Sequence, residues 1–300
     1  MIPKVFKYSL NEKTSYGIFC DSGSSGPYLD LKSVMLSYGP ETDPVYIAHL
    51  RTIDILNLIN EDEGFVKFLE DFCNDPARYK EAELTEGWIF RIPAEPTKII
   101  AIARNYAEHA KESGIEVSRQ PVFFAKLPSS MIAHGEAIEI PDGAGRVDHE
   151  VELAVYIGKK ATKTGRDRAM DYVAGYTVFN DVTARELQAK DKVGGHPYTR
   201  AKGFDTFGPC GPFAVASRFI SDPHNLDLEL KINGETKQKS NTNMMIFRTD
   251  VLISYISGIC SFMPGDLIAT GTPEGVSPLK SGDVVTAEIS GIGILENPVK

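Results

Sequence analysis

The sequence predicts a mixed α/β, β-rich protein with a small α+β unit at its N-terminus, and three observations carry that reading. From residue 98 onward, short apolar runs alternate with glycine and proline turns, the texture of strands rather than of long helices. Before that point apolar residues recur twice at helical spacing, first at Ile53, Leu56, Leu58 and Ile59 and then at Phe65, Phe68, Leu69 and Phe72. Between the two textures lies Ile92-Pro93-Ala94-Glu95-Pro96, whose prolines mark a boundary, so units at 1–92 and 96–300 are expected.

In chain order, residues 4–8 and 16–19 read as strands around an Asn11-Glu12 turn, followed by a Ser/Gly loop at 21–26. The two helices come next, and their aromatic stripe reads as core rather than as a cofactor box. Residues 98–103 form an apolar strand that runs into a short helix at 104–114, closed by Gly114. The polar loop 114–120 is expected to be a mobile lid. A strand at 121–126 ends in Lys126, a strand at 151–157 is bounded by Gly158, and a strand at 172–179 runs into Asn180-Asp181. The segment 199–209 is a turn-rich loop. Residues 228–232 and 235–238 flank Asn233-Gly234, a type I′ hairpin signal. Thr249 is expected to cap a helix at 250–259. A strand at 267–276 ends in a glycine turn without the Gly-Lys-Ser/Thr of a phosphate loop, and 283–289 with 292–295 make a closing hairpin.

Composition narrows the function classes. With 300 residues, 42% hydrophobic and 24% charged, the chain has the balance of a globular protein rather than of a disordered or membrane chain. Its net charge of −9, without any Lys/Arg run, argues against a nucleic-acid partner, because neutralising phosphates needs a basic face. The most apolar late segment, 251–263, is broken by Ser254, Ser257, Gly258 and Ser261 and is too short for a membrane span. The first residues carry no apolar leader, so a cytoplasmic protein is expected. Cys20, Cys73, Cys210 and Cys260 form no Cys-x-x-Cys pair, and all four are read as free, mostly buried thiols of a reducing compartment.

The chemistry concentrates at Asp148-His149-Glu150-Val151-Glu152. Residues i and i+2 of a strand share a face about 6–7 Å apart, so Glu150 and Glu152 project together. Asp181, at the end of the next strand, brings a third carboxylate. Two readings are open: a solvated strand end, or a hard-cation site in which these oxygens hold Mg²⁺ or Mn²⁺. His109 and Glu112 stand at i and i+3 of one helix. They are either a surface ion pair or an oriented general base acting on water. Lys126 either snorkels to solvent or faces a pocket, and Lys202 sits in the turn-rich loop.

From Pro96 to Lys300 these segments, in this order, resemble the fumarylacetoacetate hydrolase family. The signatures are Arg104-Asn105-Tyr106-x-x-His109-x-x-Glu112, Pro121-x-Phe123-x-x-Lys126, His149-Glu150-Val151-Glu152-Leu153, Asn180-Asp181-Val182-Thr183-Ala184-Arg185, Lys202-Gly203-Phe204-Asp205, Asn233-Gly234-Glu235 and Thr270-Gly271-Thr272-Pro273. Each is weak alone, but their fixed order over two-thirds of the chain is specific. The resemblance implies a rolled β-sheet catalytic domain, a homodimer, and Mg²⁺ or Mn²⁺ on Glu150, Glu152 and Asp181. It implies further that His109 and Glu112 form a water-activating dyad on a helix that orders over substrate. Lys202, as a catalytic cation, and Lys126 then neutralise the substrate anion, while Arg104, Arg185, Gln188 and Thr272 line the pocket. Asp205 reads as a structural turn residue. Pro197-Tyr198-Thr199-Arg200 departs from the indole expected there, with Tyr198 keeping an aromatic wall.

On that resemblance the substrate is a small anionic oxo acid, a 2,4-dioxo acid of the acylpyruvate kind. Water activated by His109 attacks the C4 carbonyl, and pyruvate leaves as its enolate. Oxaloacetate losing carbon dioxide forms the same enolate, so decarboxylase activity is a near neighbour. The alternative is isomerisation of a 2-hydroxy-dienedioate, which needs no hydrolytic water; the intact His109/Glu112 pair favours cleavage. A metal-bound binding protein without activity and a lyase of a ureido or hydroxy acid are the other readings open.

Overall fold

The computed structural model describes residues 2–20, 26–38, 50–112 and 118–300. The loop expected at 21–26 and the lid expected at 114–120 lie largely outside them. The sheets are built from β1 (Pro3–Leu10), β2 (Lys13–Cys20), β3 (Tyr28–Asp30), β4 (Ile99–Ala103), β5 (Val122–Lys126), β6 (Val151–Ile157), β7 (Val173–Asn180), β8 (Gly208–Ala216), β9 (Asp227–Ile232), β10 (Glu235–Asn241), β11 (Leu267–Ala269), β12 (Val284–Ile289) and β13 (Gly293–Pro298). The α-helices are α1 (Leu31–Tyr38), α2 (Thr52–Glu61), α3 (Glu63–Asn74), α4 (Ala107–Glu112), α5 (Arg185–Gly194), α6 (Thr199–Lys202) and α7 (Thr249–Ser257). Among the described residues, an eleven-stranded mixed sheet runs β3-β2-β1-β8-β7-β6-β11-β4-β5, with Ile89–Arg91 and Met131–Ile132 pairing β1 and β8 beside that path. A four-stranded antiparallel sheet runs β10-β9-β12-β13.

The strand β6 shows why the layers stack as they do. It is apolar except at Glu152 and buried along its whole length, the pattern of a strand covered on both faces. Val151, Leu153, Val155 and Ile157 face a core shared with Leu230, Val285 and Ile289 of the second sheet. Ala154 and Tyr156 face the other way, into a core that α2 and α3 close with Ile53, Leu56, Leu69 and Phe72. Glu152 falls on that second face by the two-residue period of the strand. A carboxylate at such depth calls for compensating partners.

The N-terminal strands β1 to β3 extend the same sheet, since Val5 pairs with Ala214 and Phe6 with Phe213 across β1 and β8. The division at 92–96 is kept as our proposal for the domain boundary. Both hairpins form where turn chemistry demands positive φ: Asn11 and Glu12 have φ of 48° and 64°, Asn233 and Gly234 of 51° and 81°. The helix expected from 104 is shorter, because Arg104 has φ 57°, a backbone no helix interior accepts, so α4 starts at Ala107. Thr249 is the first residue of α7 and Arg248 its N-cap, a correction of one position. The sequence reading missed β8. Its Pro209 and Pro212 argue against a central strand, yet the strand is buried throughout, and its ladder with β7 is irregular between Tyr176 and Val178, where Pro212 falls.

Cys20 and Cys73 are not free thiols. The end of β2 lies against α3, their Cα atoms are 5.3 Å apart, and a disulfide joins them across 53 residues. Sequence spacing carries no sign of a pairing made by tertiary packing. Cys210 and Cys260 are free. The argument for a reducing compartment therefore loses the support of the first pair. No helix among the described residues is long and apolar enough to cross a membrane.

Candidate metal centre and active site

Two strand ends build the centre. β6 and β7 pair antiparallel with Val151 opposite Asn180 and Glu152 opposite Phe179, so the start of one lies beside the end of the other. Glu150 N donates to Asn180 Oδ1 at 2.8 Å and Asp181 N donates to Glu150 O at 2.8 Å, which locks the two ends together. One carboxylate oxygen each from Glu150, Glu152 and Asp181 then lie within 4.8 Å of one another, and all three residues are buried. Gly271 N donates to Glu152 Oε2 at 2.8 Å. That turn requires glycine: its φ is 99°, and a Cβ there would lie 2.7 Å from Asn105 Cβ.

Cations surround the cluster. Lys202, at the end of α6, donates to Glu150 Oε2 at 2.8 Å and to Asp181 Oδ2 at 2.5 Å. Lys126 Nζ lies 2.8 Å from Asp181 Oδ1, an ion pair outside hydrogen-bond geometry, and donates to Lys202 O at 2.5 Å. Arg185 donates to Glu150 Oε1 at 2.6 Å, Asp148 Oδ2 at 2.8 Å and Gln188 Oε1 at 2.8 Å. Burial alone pushes the Glu150 carboxyl up, but Lys202 and Arg185 together outweigh it and hold the group well below the usual carboxylate range. Glu152 goes the other way: burial first, then the Asp181 charge, push its carboxyl well above that range. Burial lowers the Lys126 ammonium more than Asp181 raises it. Lys202 is lifted by Asp181 and Glu150 together against the same burial.

These residues fit a divalent cation. Three convergent oxygen donors without sulfur or imidazole suit a hard ion. Part of the upward pressure on Glu152, after burial, is repulsion from Asp181 and Glu150, which added positive charge between the carboxylates relieves.

A cleft of about 240 Å³ opens onto the cluster. Of the residues expected at the site, Arg104, His109, Glu150, Arg185, Gln188, Lys202 and Thr272 line it, with Phe124 and Tyr198 as aromatic walls. Glu152, Asp181 and Lys126 stand behind that lining, and Lys126 faces Asp181 rather than the cleft. Arg104 enters through its positive-φ turn, and its Nε is buried without a partner. Asn105 holds the turn: its amide donates to Phe247 O at 2.9 Å and Thr270 O at 2.7 Å and accepts from Phe247 N at 2.8 Å. His109 is buried on α4, with Nδ1 3.5 Å from Glu112 Oε2 and no hydrogen-bond partner. Glu112 is exposed and accepts from Gly275 N at 3.3 Å. The pair is thus adjacent without being joined.

Sequence reasoning missed the clamping roles of Asn105 and Asn180, although both stand inside quoted motifs. It also missed Gln238 on β10, which reaches Val151 and Thr272 from the second sheet. Nothing in its local sequence signals that reach.

A buried all-oxygen cluster at paired strand ends, ringed by cations and opening on a cleft, has the make-up of an enzyme centre. Residues 98–300 match the family model described as fumarylacetoacetate (FAA) hydrolase C-terminal, and the chain belongs to the fumarylacetoacetate hydrolase family. It is 49% identical over 217 residues to the mitochondrial oxaloacetate tautomerase FAHD1 of Arabidopsis thaliana, covering 72% of this chain and 97% of that protein. The crystal structure of 5-carboxymethyl-2-hydroxymuconate delta-isomerase from Mycobacterium smegmatis matches with a TM-score of 0.71 at 29% identity, over 99% of this chain and 98% of that one. Fumarylpyruvate hydrolase from Pseudomonas aeruginosa, solved with Mn²⁺ and pyruvate, matches with a TM-score of 0.65 at 33% identity, over 69% of this chain and 90% of that one. Proteins similar to this chain therefore carry the names of a tautomerase, an isomerase and a hydrolase.

Proposed function

We propose that the protein is a divalent-metal-dependent hydrolase of the C–C bond in a 2,4-dioxo acid of the acylpyruvate kind. The observation that carries the reading is the buried Glu150, Glu152 and Asp181 cluster opening on a cleft lined by His109, with Glu112 beside it. Glu150, Glu152 and Asp181 would hold Mg²⁺ or Mn²⁺, which when bound would supply Lewis-acid polarisation of the substrate. Lys202 and Arg185 add fixed positive charge where the substrate anion sits, and Arg104 and Gln188 orient its far end. Lys126 acts by holding Asp181 rather than by touching substrate. A small turn of Glu112 engages His109 Nδ1, and Nε2 then takes a proton from water. The hydroxide formed adds to C4, the C3–C4 bond breaks, and the pyruvate enolate released takes up a proton at C3.

A second reading, keto–enol tautomerisation of oxaloacetate, is favoured by the 49% identity to the Arabidopsis tautomerase. It would interconvert the keto and enol forms of the intact oxo acid without C–C cleavage, with His109 as proton carrier. A panel of acylpyruvates, oxaloacetate and a hydroxymuconate-type diene, each with Mg²⁺ or Mn²⁺, decides between the readings. The hydrolase reading requires pyruvate plus a carboxylic acid as products, and about a 10²–10⁴-fold loss in His109→Ala. Faster ketonisation of enol-oxaloacetate with no acylpyruvate cleaved refutes it in favour of the tautomerase; a shifted diene double bond does so in favour of the isomerase. We also propose a homodimer on the family resemblance. Light scattering that returns a monomer at micromolar concentration contradicts it.

A further inference from the structure

Val151 lies between Glu150 and Glu152, and the neighbouring strand does not reach it: β11 pairs with β6 only over Ala154 to Tyr156. Side chains take the place of a strand there. Gln238 Oε1 accepts from Val151 N at 3.1 Å, and Thr272 Oγ1 donates to Val151 O at 2.9 Å. Gln238 Nε2 in turn donates to Thr272 Oγ1 and to Pro273 O, each at 2.8 Å. A backbone N–H only donates and a backbone carbonyl only accepts, so Val151 N and Pro273 O between them fix which end of the Gln238 amide is oxygen. His149 Nδ1, 2.9 Å from that same oxygen, must then carry hydrogen. Its Nε2 is left to accept from Ser277 Oγ at 2.9 Å. His149, Gln238 and Thr272 are all buried, so solvent does not substitute for any of these partners.

We infer that Gln238 is a positioning residue for the metal centre: it reaches across from the second sheet and, with Thr272, holds the backbone between two carboxylate ligands in a direction only a glutamine amide can satisfy. The inference rests on the divalent-cation reading of the cluster. No other side chain of this length offers one acceptor towards Val151 N and His149 Nδ1 together with two donors towards Thr272 and Pro273 O. Hydrogen-bond partners of metal ligands commonly govern affinity by about 10–100-fold, and Gln238 and Thr272 act one step further out, through the Val151 backbone between two ligands.

The test is Mn²⁺ binding, read by calorimetry on the full chain at a temperature where every variant is folded. Gln238→Met should weaken Mn²⁺ by about 10–100-fold, and Thr272→Val, which removes the hydroxyl at constant shape, should weaken it by about tenfold. A merely structural role would lower the unfolding temperature and leave Mn²⁺ affinity unchanged, and that outcome overturns the inference. Should Gln238→Met fail to fold, unchanged affinity in Thr272→Val overturns it equally. A long-range ¹H–¹⁵N spectrum of the wild type reads the His149 tautomer without any variant. Hydrogen on Nδ1 is expected, and hydrogen on Nε2 reverses the Gln238 amide and refutes the argument. A wild type that takes up no Mn²⁺ sinks the cluster reading and this inference with it, whereas binding left intact in Gln238→Met sinks this inference alone.

Discussion

Replacing Lys202 with methionine separates the charge balance of the centre from its packing. The Lys202 ammonium is buried, 2.8 Å from Glu150 Oε2 and 2.5 Å from Asp181 Oδ2. At an effective dielectric near 20, each contact is worth roughly 6 kcal/mol by Coulomb's law before desolvation is subtracted. Desolvation offsets much of that, and removing one partner of a buried ion pair destabilises by about 3–5 kcal/mol. For a chain of this length that is a fall of about 6–10 °C in unfolding temperature, at about 2 °C per kcal/mol. A divalent ion restores the missing charge. At a hundred times its Kd it stabilises by about 2.7 kcal/mol, and the gain should be larger in Lys202→Met, where no ammonium competes for Glu150 and Asp181. The assay is thermal unfolding in EDTA and again in Mn²⁺. A drop under about 2 °C in EDTA, or no recovery with Mn²⁺, refutes the reasoning.

Further predictions concern the surroundings. Gly271→Ala should destabilise by more than about 1 kcal/mol, because φ is 99° and the new Cβ would crowd Asn105; urea denaturation showing no change refutes the tight turn. Asn105→Ala leaves Phe247 N, Phe247 O and Thr270 O without their amide partner, at roughly 1–3 kcal/mol for each buried orphan, and should lower the urea midpoint sharply. Burial pushes the Cys210 thiol up to about 12, so iodoacetamide at pH 8 should label only the part-exposed Cys260 in the native state, two thiols after unfolding and four after reduction. Reduction should also destabilise by about 4 kcal/mol, as the 53-residue separation of Cys20 and Cys73 implies; four labels without reductant remove the bond.

The legible parts of this chain were those where local pattern and tertiary demand agree. Residues 151–157 read as a strand because their apolar run is bounded by Gly158, and the same residues form β6. The Asn233-Gly234 turn read as a hairpin because both residues tolerate positive φ. β8 was illegible for the opposite reason: its prolines deny it ladder donors, and only burial between β1 and β7 keeps it extended. Helix α5 offers little apolar stripe, since Leu187 and Val193 are its only large aliphatics and Val193 is exposed. Arg185 and Gln188 were therefore reached through the family motif and not through periodicity. Lys126 was placed at the end of its strand, but which way its ammonium faces depends on Asp181, supplied from a strand more than fifty residues later. The Cys20–Cys73 bond and the reach of Gln238 are likewise products of assembled layers, and no window of sequence contains both partners.

The charge pattern bears on how a small anion is held. Within the cluster, the carboxylates of Glu150 and Asp181 are met by Lys202, Lys126 and Arg185 and that of Glu152 by Gly271 N, while Asp148, which shares Arg185, has Arg146 as a further partner at 2.7 Å. The cluster is therefore close to neutral by its own side chains, although packed with charge. Its cations are occupied: Lys202 and Arg185 line the cleft, yet both already point donors at carboxylates. A substrate carboxylate arriving alone competes with those bonds and gains little. On the proposed reading Glu150, Glu152 and Asp181 would hold a divalent ion, and Lys202 and Arg185 would then have donors to spare. The cleft would then carry an excess of about two positive charges in a setting that screens them poorly, which is what a dianionic oxo acid would require. On that reading Lys202 and Arg185, which donate to the carboxylates, would also be the groups that hold the substrate, and a bound divalent ion would make the site attractive to an anion.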